Sequence, residues 1–219
     1  MPTLAHPALA QFDSLPLAER LFVRARLASA PLVEVASRVT GRRVLDVGCG
    51  HGVLCALMSH GHPEREVVGL DPDPRKIDWA KASVGRAPNA RFEVGTVQAL
   101  APLEAGRFDC VTVADVLYLL PEREHGTFLA ACHQLLRPGG TLLLKEAEDD
   151  GGWRTTKALV QEQLMVRLLG RTRSSGAIGF STRAHMSDQI VKAGFRVTEV
   201  VRLSRLSTTP HVLYVASCV

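Results

Sequence analysis

The residues with the clearest chemical meaning are three glycines that follow a short apolar run. Gly48, Gly50 and Gly52 come directly after residues 44–47, and an apolar helical pattern begins near Val53. Glycines at such a turn let a ligand approach the backbone, and the free N–H groups of the following helix attract an anion. A dinucleotide site needs G-x-G-x-x-G, and Val53 stands where that pattern requires its third glycine. The spacing therefore predicts a ligand-binding turn of a different kind.

Two aspartates lie near this turn at positions that suit a nucleoside. Asp46 lies two residues before Gly48, and Asp71 ends the next apolar run, nineteen residues after Gly52. An acid at the end of the second strand of a parallel sheet can accept hydrogen bonds from both hydroxyls of a ribose. For Asp46 two roles remain open, contact with the ligand and support of the turn. Together the glycines and the acids predict a nucleoside-containing ligand at the first crevice of the sheet.

The elements that must position these residues alternate along the chain. The predicted strands are apolar or β-branched runs at residues 43–47, 67–70, 91–94, 108–113, 141–145, 195–203 and 211–219. The predicted helices lie at residues 15–39 (one or two helices, interrupted near Pro31), 74–84, 121–136, 153–169 and 181–193, the last with Ser181 as its N-cap. This alternation predicts an α/β fold, a doubly wound Rossmann-like sheet with helices on both faces. We expect seven strands, six parallel and the last antiparallel, because the connection before the last strand is short.

These motifs resemble those of the class I S-adenosylmethionine-dependent methyltransferases, in the branch that acts on quinones, lipids and secondary metabolites. Beyond the glycine turn, residues 108–120 (FDCVTVADVLYLL) resemble the fourth-strand motif of that family. Residues 135–144 (LLRPGGTLLL) resemble the turn that leads into its fifth strand. The resemblance covers about residues 42–145. It implies S-adenosylmethionine as cofactor and S-adenosylhomocysteine as product.

The resemblance also implies which residues contact the cofactor. The glycine loop would hold its methionine end, Asp46 its ammonium group, Asp71 the ribose and Pro72 the adenine. One departure is that Gly95 is followed by Thr96, where the family often has Gly-Asp. The full set of expected cofactor contacts is Asp46, Gly48, Cys49, Gly50, Gly52, Asp71, Pro72, Thr96, Val97, Ala114 and Asp115.

The acceptor should bind beyond the ends of the fourth and fifth strands. Methyl transfer requires the acceptor atom to be held in line with the methyl group, and a hydroxyl or carbon acceptor also needs a base. The candidates there are His185, Tyr118 and Glu146, with His51, Asp115, His125, Glu148, Asp149 and His211 as further polar residues near that edge. Asn/Asp-Pro-Pro, typical of methylation of exocyclic amines in bases, is absent at residues 115–118. An oxygen or carbon of a small hydrophobic or anionic molecule is therefore the expected acceptor, and nucleic acid is disfavoured.

Composition limits the remaining alternatives. The 219 residues are 46% hydrophobic and 22% charged, which suits one globular domain. No run approaches the ~18 apolar residues of a membrane span, and residues 1–13 lack the pattern of a secretory signal. Five scattered cysteines without a C-x-x-C pair argue against a disulfide framework or zinc site and favour the cytoplasm. No metal is implied.

Basic residues are concentrated late in the chain. Residues 151–205 carry ten Lys or Arg and three acids, a net +7, whereas the rest of the chain is net −3. Such a segment is usually a solvated face, but it also suits an anionic or carrier-bound acceptor or a lipid surface. An RNA or protein methyltransferase, and a non-catalytic cofactor-binding partner, remain alternatives. The resemblance leaves monomer and homodimer open.

We divide this single expected domain, residues 1–219, into four parts. They are an N-terminal helical cap (1–40), a cofactor-binding core (41–146), an inserted lid (147–180), and a C-terminal helix and strand pair (181–219).

Overall fold

The apolar runs of the sequence form a seven-stranded sheet. The structure is a computed structural model, and it describes residues 6–147, 181–203 and 210–219. The strands are β1 (Arg43–Val47), β2 (Glu66–Asp71), β3 (Ala90–Val94), β4 (Phe108–Ala114), β5 (Leu136–Ala147), β6 (Phe195–Leu203) and β7 (His211–Cys218). Their order in the sheet is β3-β2-β1-β4-β5-β7-β6. β7 pairs antiparallel with both β5 and β6, so six strands point one way and the last points back, as predicted.

Helices cover both faces of this sheet. The α-helices are α1 (Leu17–Ser29), α2 (Leu32–Ser37), α3 (Val53–His60), α4 (Pro74–Ala82), α5 (Val97–Leu100), α6 (Glu122–Leu135) and α7 (Arg183–Lys192). Short 3₁₀ helices form at Pro7–Phe12, Val84–Arg86 and Leu117–Leu119. The predicted lid helix at residues 153–169, with Glu148 and Asp149, lies outside the described residues.

The apolar side chains form two cores, one on each face. Val44 belongs to the core beneath α1 to α4, and its neighbour Leu45 to the core beneath α5 to α7. Successive residues of a strand point to opposite faces, so a strand buried on both sides must be apolar throughout. This is why the central strands read as continuous apolar runs, and it confirms the doubly wound arrangement.

Local chemistry explains the ends of several elements. Pro31 separates α1 from α2 at the predicted position, because proline cannot continue a helix. The predicted N-cap Ser181 is wrong, since Thr182 accepts the capping hydrogen bond from His185 N at 3.4 Å. Pro121 precedes α6 rather than opening it.

Two further differences concern a short helix and the start of a strand. The stretch between β3 and β4, where no helix was predicted, contains the short helix α5, which Thr96 caps. β5 begins at Leu136 rather than at residue 141, because Leu136 pairs with Phe108 before the register shifts at Cys110. Neither changes the topology.

The strand order places a crevice between the carboxyl ends of β1 and β4. From β1 the sheet grows outward through β2 to β3, and from β4 it grows the other way through β5. Connections therefore leave these two neighbouring strands in opposite directions. In open α/β sheets this reversal point is where ligands bind.

Candidate functional site

The glycine loop lies at this crevice in a conformation that favours glycine. Gly48, Gly50 and Gly52 have φ angles of 74°, 55° and 80°, all in the left-handed region. The loop is anchored to β2, since the N–H groups of Gly48 and Cys49 both donate to the carbonyl of Leu70, at 2.7 and 3.1 Å. The backbone of the loop is thus fixed relative to the second strand before any ligand arrives.

The three glycines are needed for different reasons. A Cβ on Gly48 would lie 2.5 Å from Cγ2 of Val116, and one on Gly52 would lie 3.0 Å from the ring of Phe92. A Cβ on Gly50 would meet nothing within 4 Å. Gly48 and Gly52 therefore permit close packing of the protein itself. Gly50 faces open space, which makes it the point where a ligand can reach the loop.

This difference gives a prediction for two alanine variants. Gly48→Ala should lower the free energy of unfolding by about 2–3 kcal/mol, since it combines a steric clash with left-handed strain. Gly50→Ala should cost only about 1 kcal/mol of strain, but should weaken ligand binding at the loop at least tenfold. Urea unfolding and calorimetric titration with S-adenosylhomocysteine measure the two effects. If Gly50→Ala and the unaltered protein bind S-adenosylhomocysteine equally well, Gly50 is not the point where the ligand reaches the glycine loop.

Asp71 is held against the glycine loop by backbone donors. Its Oδ2 accepts from Gly50 N at 3.0 Å, and its Oδ1 accepts from Asp73 N at 2.9 Å. The side chain is buried, whereas the next residue, Pro72, is exposed beside it. The structure thus brings together the loop and the acid that the sequence placed at the ends of neighbouring strands.

Asp46 has both carboxylate oxygens engaged inside the protein. Thr112 Oγ1 donates to Oδ1 at 2.8 Å, and Cys55 Sγ donates to Oδ2 at 3.4 Å. Burial raises the pKa of Asp46 to about 6, against the hydrogen bond from Thr112, which lowers it. Of the two roles left open, these contacts favour support of the turn between β1 and α3.

The other expected cofactor contacts have varied surroundings. Cys49 and Val97 are buried, Ala114 is half-buried at the end of β4, and Thr96 is exposed. The Thr96 hydroxyl accepts from Ala99 N at 3.3 Å as the cap of α5. Their contact with a ligand stays a prediction.

Helix α1 of the N-terminal cap contacts the glycine loop and the end of β4. His51 Nε2 lies 2.8 Å from Glu19 Oε2, and the His51 ring packs against the Phe22 ring at a tilt of 43°, with centroids 4.9 Å apart. One turn further on, Arg26 Nη2 lies 2.6 Å from Asp115 Oδ2. The cap therefore borders the crevice on the face that carries Asp46.

Asp115 follows β4 and forms the centre of a buried ion-pair network. Lys145 Nζ, fully buried on β5, lies 2.5 and 2.6 Å from the two carboxylate oxygens of Asp115. Burial opposes ionisation of Asp115, but the charges of Lys145 and Arg26 outweigh it and hold its pKa below the usual range. Asp115 is the one described non-glycine residue with a positive φ, 61°. Such strain persists where surrounding contacts over-determine it, often at functional sites.

Glu146 holds the segment that follows β4. Its Oε1 accepts from Val116 N at 2.9 Å and from Leu117 N at 2.8 Å. Its Oε2 is buried and has no partner among the residues that the structure describes. Burial, followed by the charge of Asp115, raises the pKa of Glu146 to about 8. The raised pKa favours the protonated form of Glu146 at neutral pH, and its two hydrogen bonds position the backbone that follows β4.

The raised pKa of Glu146 predicts a specific pH dependence of stability. Because the native state holds this proton and the unfolded chain releases it, the contribution is complete at low pH and is lost as pH rises towards 8. Between pH 7 and 8, Asp46 (native pKa about 6) is ionised, and His211, whose pKa is about 4 in the native state and the ordinary 6.5 in the unfolded chain, is mainly neutral in both states. In that window the free energy of unfolding should fall by up to about 1.4 kcal/mol per pH unit. Urea unfolding should show a flatter profile for Glu146→Gln, and parallel profiles would contradict the assignment.

The remaining catalytic candidates are distributed around the acceptor edge. His185 on α7 is exposed, and its Nε2 lies 2.8 Å from Glu122 and 3.0 Å from the amide of Gln189. Tyr118 is half-buried in the 3₁₀ turn after β4. Roles in catalysis stay predictions for both.

Two histidines outside the catalytic set have clear surroundings. His125 is buried, and its Nε2 lies 2.9 Å from the carbonyl of Leu117, so it ties α6 to the turn after β4. His211 at the start of β7 faces the Asp115 network.

Sequence reasoning missed Arg26, although it proved central to the network. No local pattern distinguishes this arginine from the other arginines of the amphipathic helix α1, such as Arg20 and Arg24. Its role follows only from where α1 packs on the sheet.

A separate cavity of about 500 Å³ lies away from this crevice. It is lined by the segment that contains the 3₁₀ helix Pro7–Phe12, by the carboxyl end of α3 at His60, and by the residues that follow α4, including Arg86. Helices that follow parallel strands run back to the opposite edge of the sheet. This cavity therefore does not belong to the site at the strand ends.

Two negative observations concern the described residues. Within residues 6–147, 181–203 and 210–219, no group of three or more His, Cys, Asp or Glu could hold a metal ion. Over the same ranges, no helix has both the length and the apolar character needed to cross a membrane.

The sheet order, the reversed last strand and the glycine loop define a class of protein, the Rossmann-like methyltransferases. Residues 44–140 match the family model described as a methyltransferase domain. Residues 44–140 of this chain therefore form a methyltransferase domain, as the motifs predicted.

Curated relatives agree with this assignment. The chain is 30% identical over 172 residues to the ubiquinone biosynthesis O-methyltransferase of Psychrobacter arcticus, covering 75% of this chain and 63% of that protein. It is 32% identical over 157 residues to the trans-aconitate 2-methyltransferase of Deinococcus radiodurans, covering 70% of this chain and 58% of the relative. The chain thus spans about 60% of the length of these two relatives.

Solved structures share the fold across nearly the whole chain. The 1,6-didemethyltoxoflavin-N1-methyltransferase of Burkholderia thailandensis, solved with S-adenosylhomocysteine, has a TM-score of 0.68 at 20% identity and covers 96% of this chain and 87% of its own. A Haloferax volcanii putative methyltransferase in complex with the Trm112 activator has a TM-score of 0.71 at 17% identity, covering 96% and 97%. At these identities the likeness concerns the fold alone.

Proposed function

We propose that this protein transfers a methyl group from S-adenosylmethionine to an oxygen or carbon of a small organic acceptor and releases S-adenosylhomocysteine. One observation carries the proposal. At the reversal point of the sheet, the carboxylate of Asp71 is hydrogen-bonded to the glycine loop at Gly50, whose outer side faces open space. The carboxylate of Asp71 and the accessible backbone of Gly50 thus lie side by side, which suits a ligand with a ribose and a charged amino-acid part.

The residues present fit this cofactor. Asp71 accepts hydrogen bonds and would hold the ribose hydroxyls, Pro72 lies exposed beside it for the adenine, and Gly50 leaves room for the methionine end. When bound, S-adenosylmethionine supplies a methyl group activated by a sulfonium.

On the acceptor side, the protein contributes mainly by holding the acceptor in a fixed position. Lys145 and Asp115 fix the end of β4, and Glu146 fixes the two backbone N–H groups that follow. Rigid placement of the acceptor supplies much of the rate acceleration in a displacement at a methyl group. The names of the curated relatives, an O-methyltransferase of ubiquinone biosynthesis and a trans-aconitate methyltransferase, support a small oxygen-bearing acceptor.

The surroundings of the cysteines support a reducing compartment, which we take to be the cytoplasm. All five are buried and none forms a disulfide.

The test is a turnover assay with the purified chain. Radiolabelled S-adenosylmethionine is incubated with catechols, other phenols and organic acids, and labelled product is separated by chromatography. We expect turnover of at least one class and none with Asp71→Ala. If S-adenosylhomocysteine binds but no acceptor is methylated, the non-catalytic cofactor-binding alternative is favoured instead.

A further inference from the structure

The outward side of helix α1 is apolar, although it faces solvent. On its inner side α1 buries Val23 and Leu27 in the core, and such a helix normally carries polar residues on the opposite side. The exposed residues of α1 are Leu17, Ala18, Leu21, Arg24, Ala25, Ala28 and Ser29. Because five of these seven are leucine or alanine, the helix has a second apolar side.

Four of these residues form one row along the helix. Positions i, i+4, i+8 and i+11 share one side of an α-helix, and in α1 they are Leu17, Leu21, Ala25 and Ala28. We call these four residues the α1 stripe. Leu17 is 67% exposed and Leu21 is 56% exposed. A single exposed leucine is ordinary on a protein surface, but a contiguous apolar patch is typical of an interaction surface.

The α1 stripe is bulky in its first half and small in its second half. When two copies of α1 run antiparallel with Leu21 at a two-fold axis, Leu17 of each copy lies opposite Ala25 of the other. Large side chains opposite small ones pack two helices closely, and a two-fold axis buries the same patch of both chains. In a parallel pair leucine would meet leucine and alanine would meet alanine, which leaves a gap at the small end.

The charges near the α1 stripe favour the same orientation. Asp13 precedes α1 and Arg24 lies in its second half, and about half of each side chain is exposed, so both can contact a second chain. An antiparallel pair brings the acidic start of one helix alongside the basic end of the other, whereas a parallel pair places equal charges together. The helix dipoles agree, because the positive amino end of each helix then lies beside the negative carboxyl end of its partner.

We propose that the α1 stripe is the interface of a homodimer, in which two copies of this chain pack their α1 helices antiparallel about Leu21. A helix of 13 residues is about 20 Å long. The contact is therefore at the small end of specific interfaces, and the dimer exchanges with the monomer at micromolar concentrations. The inner side of α1 holds Glu19 against His51 of the glycine loop, so the dimer leaves the contacts at the crevice intact.

The test is sedimentation velocity of the purified full chain at concentrations from about 5 to 200 μM. We expect the average mass to rise with concentration towards twice the mass of one chain. Leu21→Glu places two carboxylates at the axis and should weaken the dimer at least tenfold. Leu103→Glu is the matched control, because Leu103 is 77% exposed in the segment between α5 and β4, and this variant should keep the dimer.

Cysteine cross-linking tests the orientation of the two helices. The five native cysteines are buried, so diamide should oxidise an introduced surface thiol first. Leu21→Cys should give a disulfide-linked dimer, because each residue 21 meets its twin at the axis. Ala28→Cys should stay unlinked, because the two copies of residue 28 lie at opposite ends of the contact. Equal linking of both variants overturns the antiparallel arrangement.

The remaining outcomes also decide the proposal, and none depends on methyltransferase activity. A monomer at every concentration overturns it, and sedimentation of that monomer with phosphatidylglycerol vesicles would assign the α1 stripe to a lipid surface instead. A dimer that Leu21→Glu leaves unchanged overturns it as well. Loss of the dimer in both glutamate variants would show that association depends on net charge rather than on the α1 stripe.

Discussion

Replacement of Asp71 by alanine should weaken the binding of S-adenosylhomocysteine at least a hundredfold. Two hydrogen bonds from ribose hydroxyls to a carboxylate contribute about 1.5–3 kcal/mol each, and a hundredfold loss corresponds to about 2.7 kcal/mol. The variant also removes the acceptor of Gly50 N, so the glycine loop loses a contact that now orders it. Isothermal titration calorimetry measures the loss.

A matched control lies two residues away. Asp73 caps α4 through Arg75 N at 3.0 Å and pairs with the Arg75 guanidinium, but it has no expected contact with the cofactor. Asp73→Ala should lower the free energy of unfolding by about 1 kcal/mol and leave the affinity for S-adenosylhomocysteine within twofold of the original value. Similar loss of affinity in both variants would show that Asp71 acts through the local backbone rather than through the ribose.

Replacement of Lys145 by methionine should produce the largest loss of stability among the site variants. It leaves Asp115 buried with Arg26 as its remaining described cation, and removal of one partner from a buried ion pair costs about 3–5 kcal/mol. For a chain of this size, that loss corresponds to a midpoint of thermal unfolding lower by about 10 °C. Differential scanning calorimetry and urea unfolding measure the two quantities.

A double variant tests whether the cost comes from the charge left behind. Asparagine tolerates the left-handed backbone of Asp115 and carries no charge. Lys145→Met combined with Asp115→Asn should therefore recover more than half of the lost stability. If the double variant is no more stable than Lys145→Met alone, Lys145 stabilises the protein by packing rather than by pairing.

The cofactor side of the site could be predicted from sequence because its determinants are local. Gly48, Gly50 and Gly52 lie within five residues, and Asp71 ends the adjacent strand, so the parallel sheet brings them together. The doubly wound topology followed in the same way from alternating apolar runs, since buried parallel strands must be apolar on both faces.

The network around Asp115 could be predicted only in part. Asp115 and His211 were expected near this edge, whereas Arg26 and Lys145 were not, because the members of the network are distant in sequence. Arg26, Asp115, Lys145 and His211 come from four elements, and their meeting depends on how α1 packs and how β7 pairs with β5. Glu146 was a candidate base from its position alone. Its two backbone hydrogen bonds, which favour a positioning role, exist only after residues 116–117 turn back over β5.

The measurement that tests the central claim most directly is ligand-dependent thermal unfolding of the purified chain. The protein is heated alone and with S-adenosylmethionine, S-adenosylhomocysteine or NADH, each at high concentration. A ligand at a hundred times its dissociation constant adds about 2.7 kcal/mol, so both sulfur compounds should raise the midpoint by several degrees and NADH should not. A rise with NADH alone, or no rise with any ligand, would contradict the assignment of the glycine loop and Asp71 as an S-adenosylmethionine site.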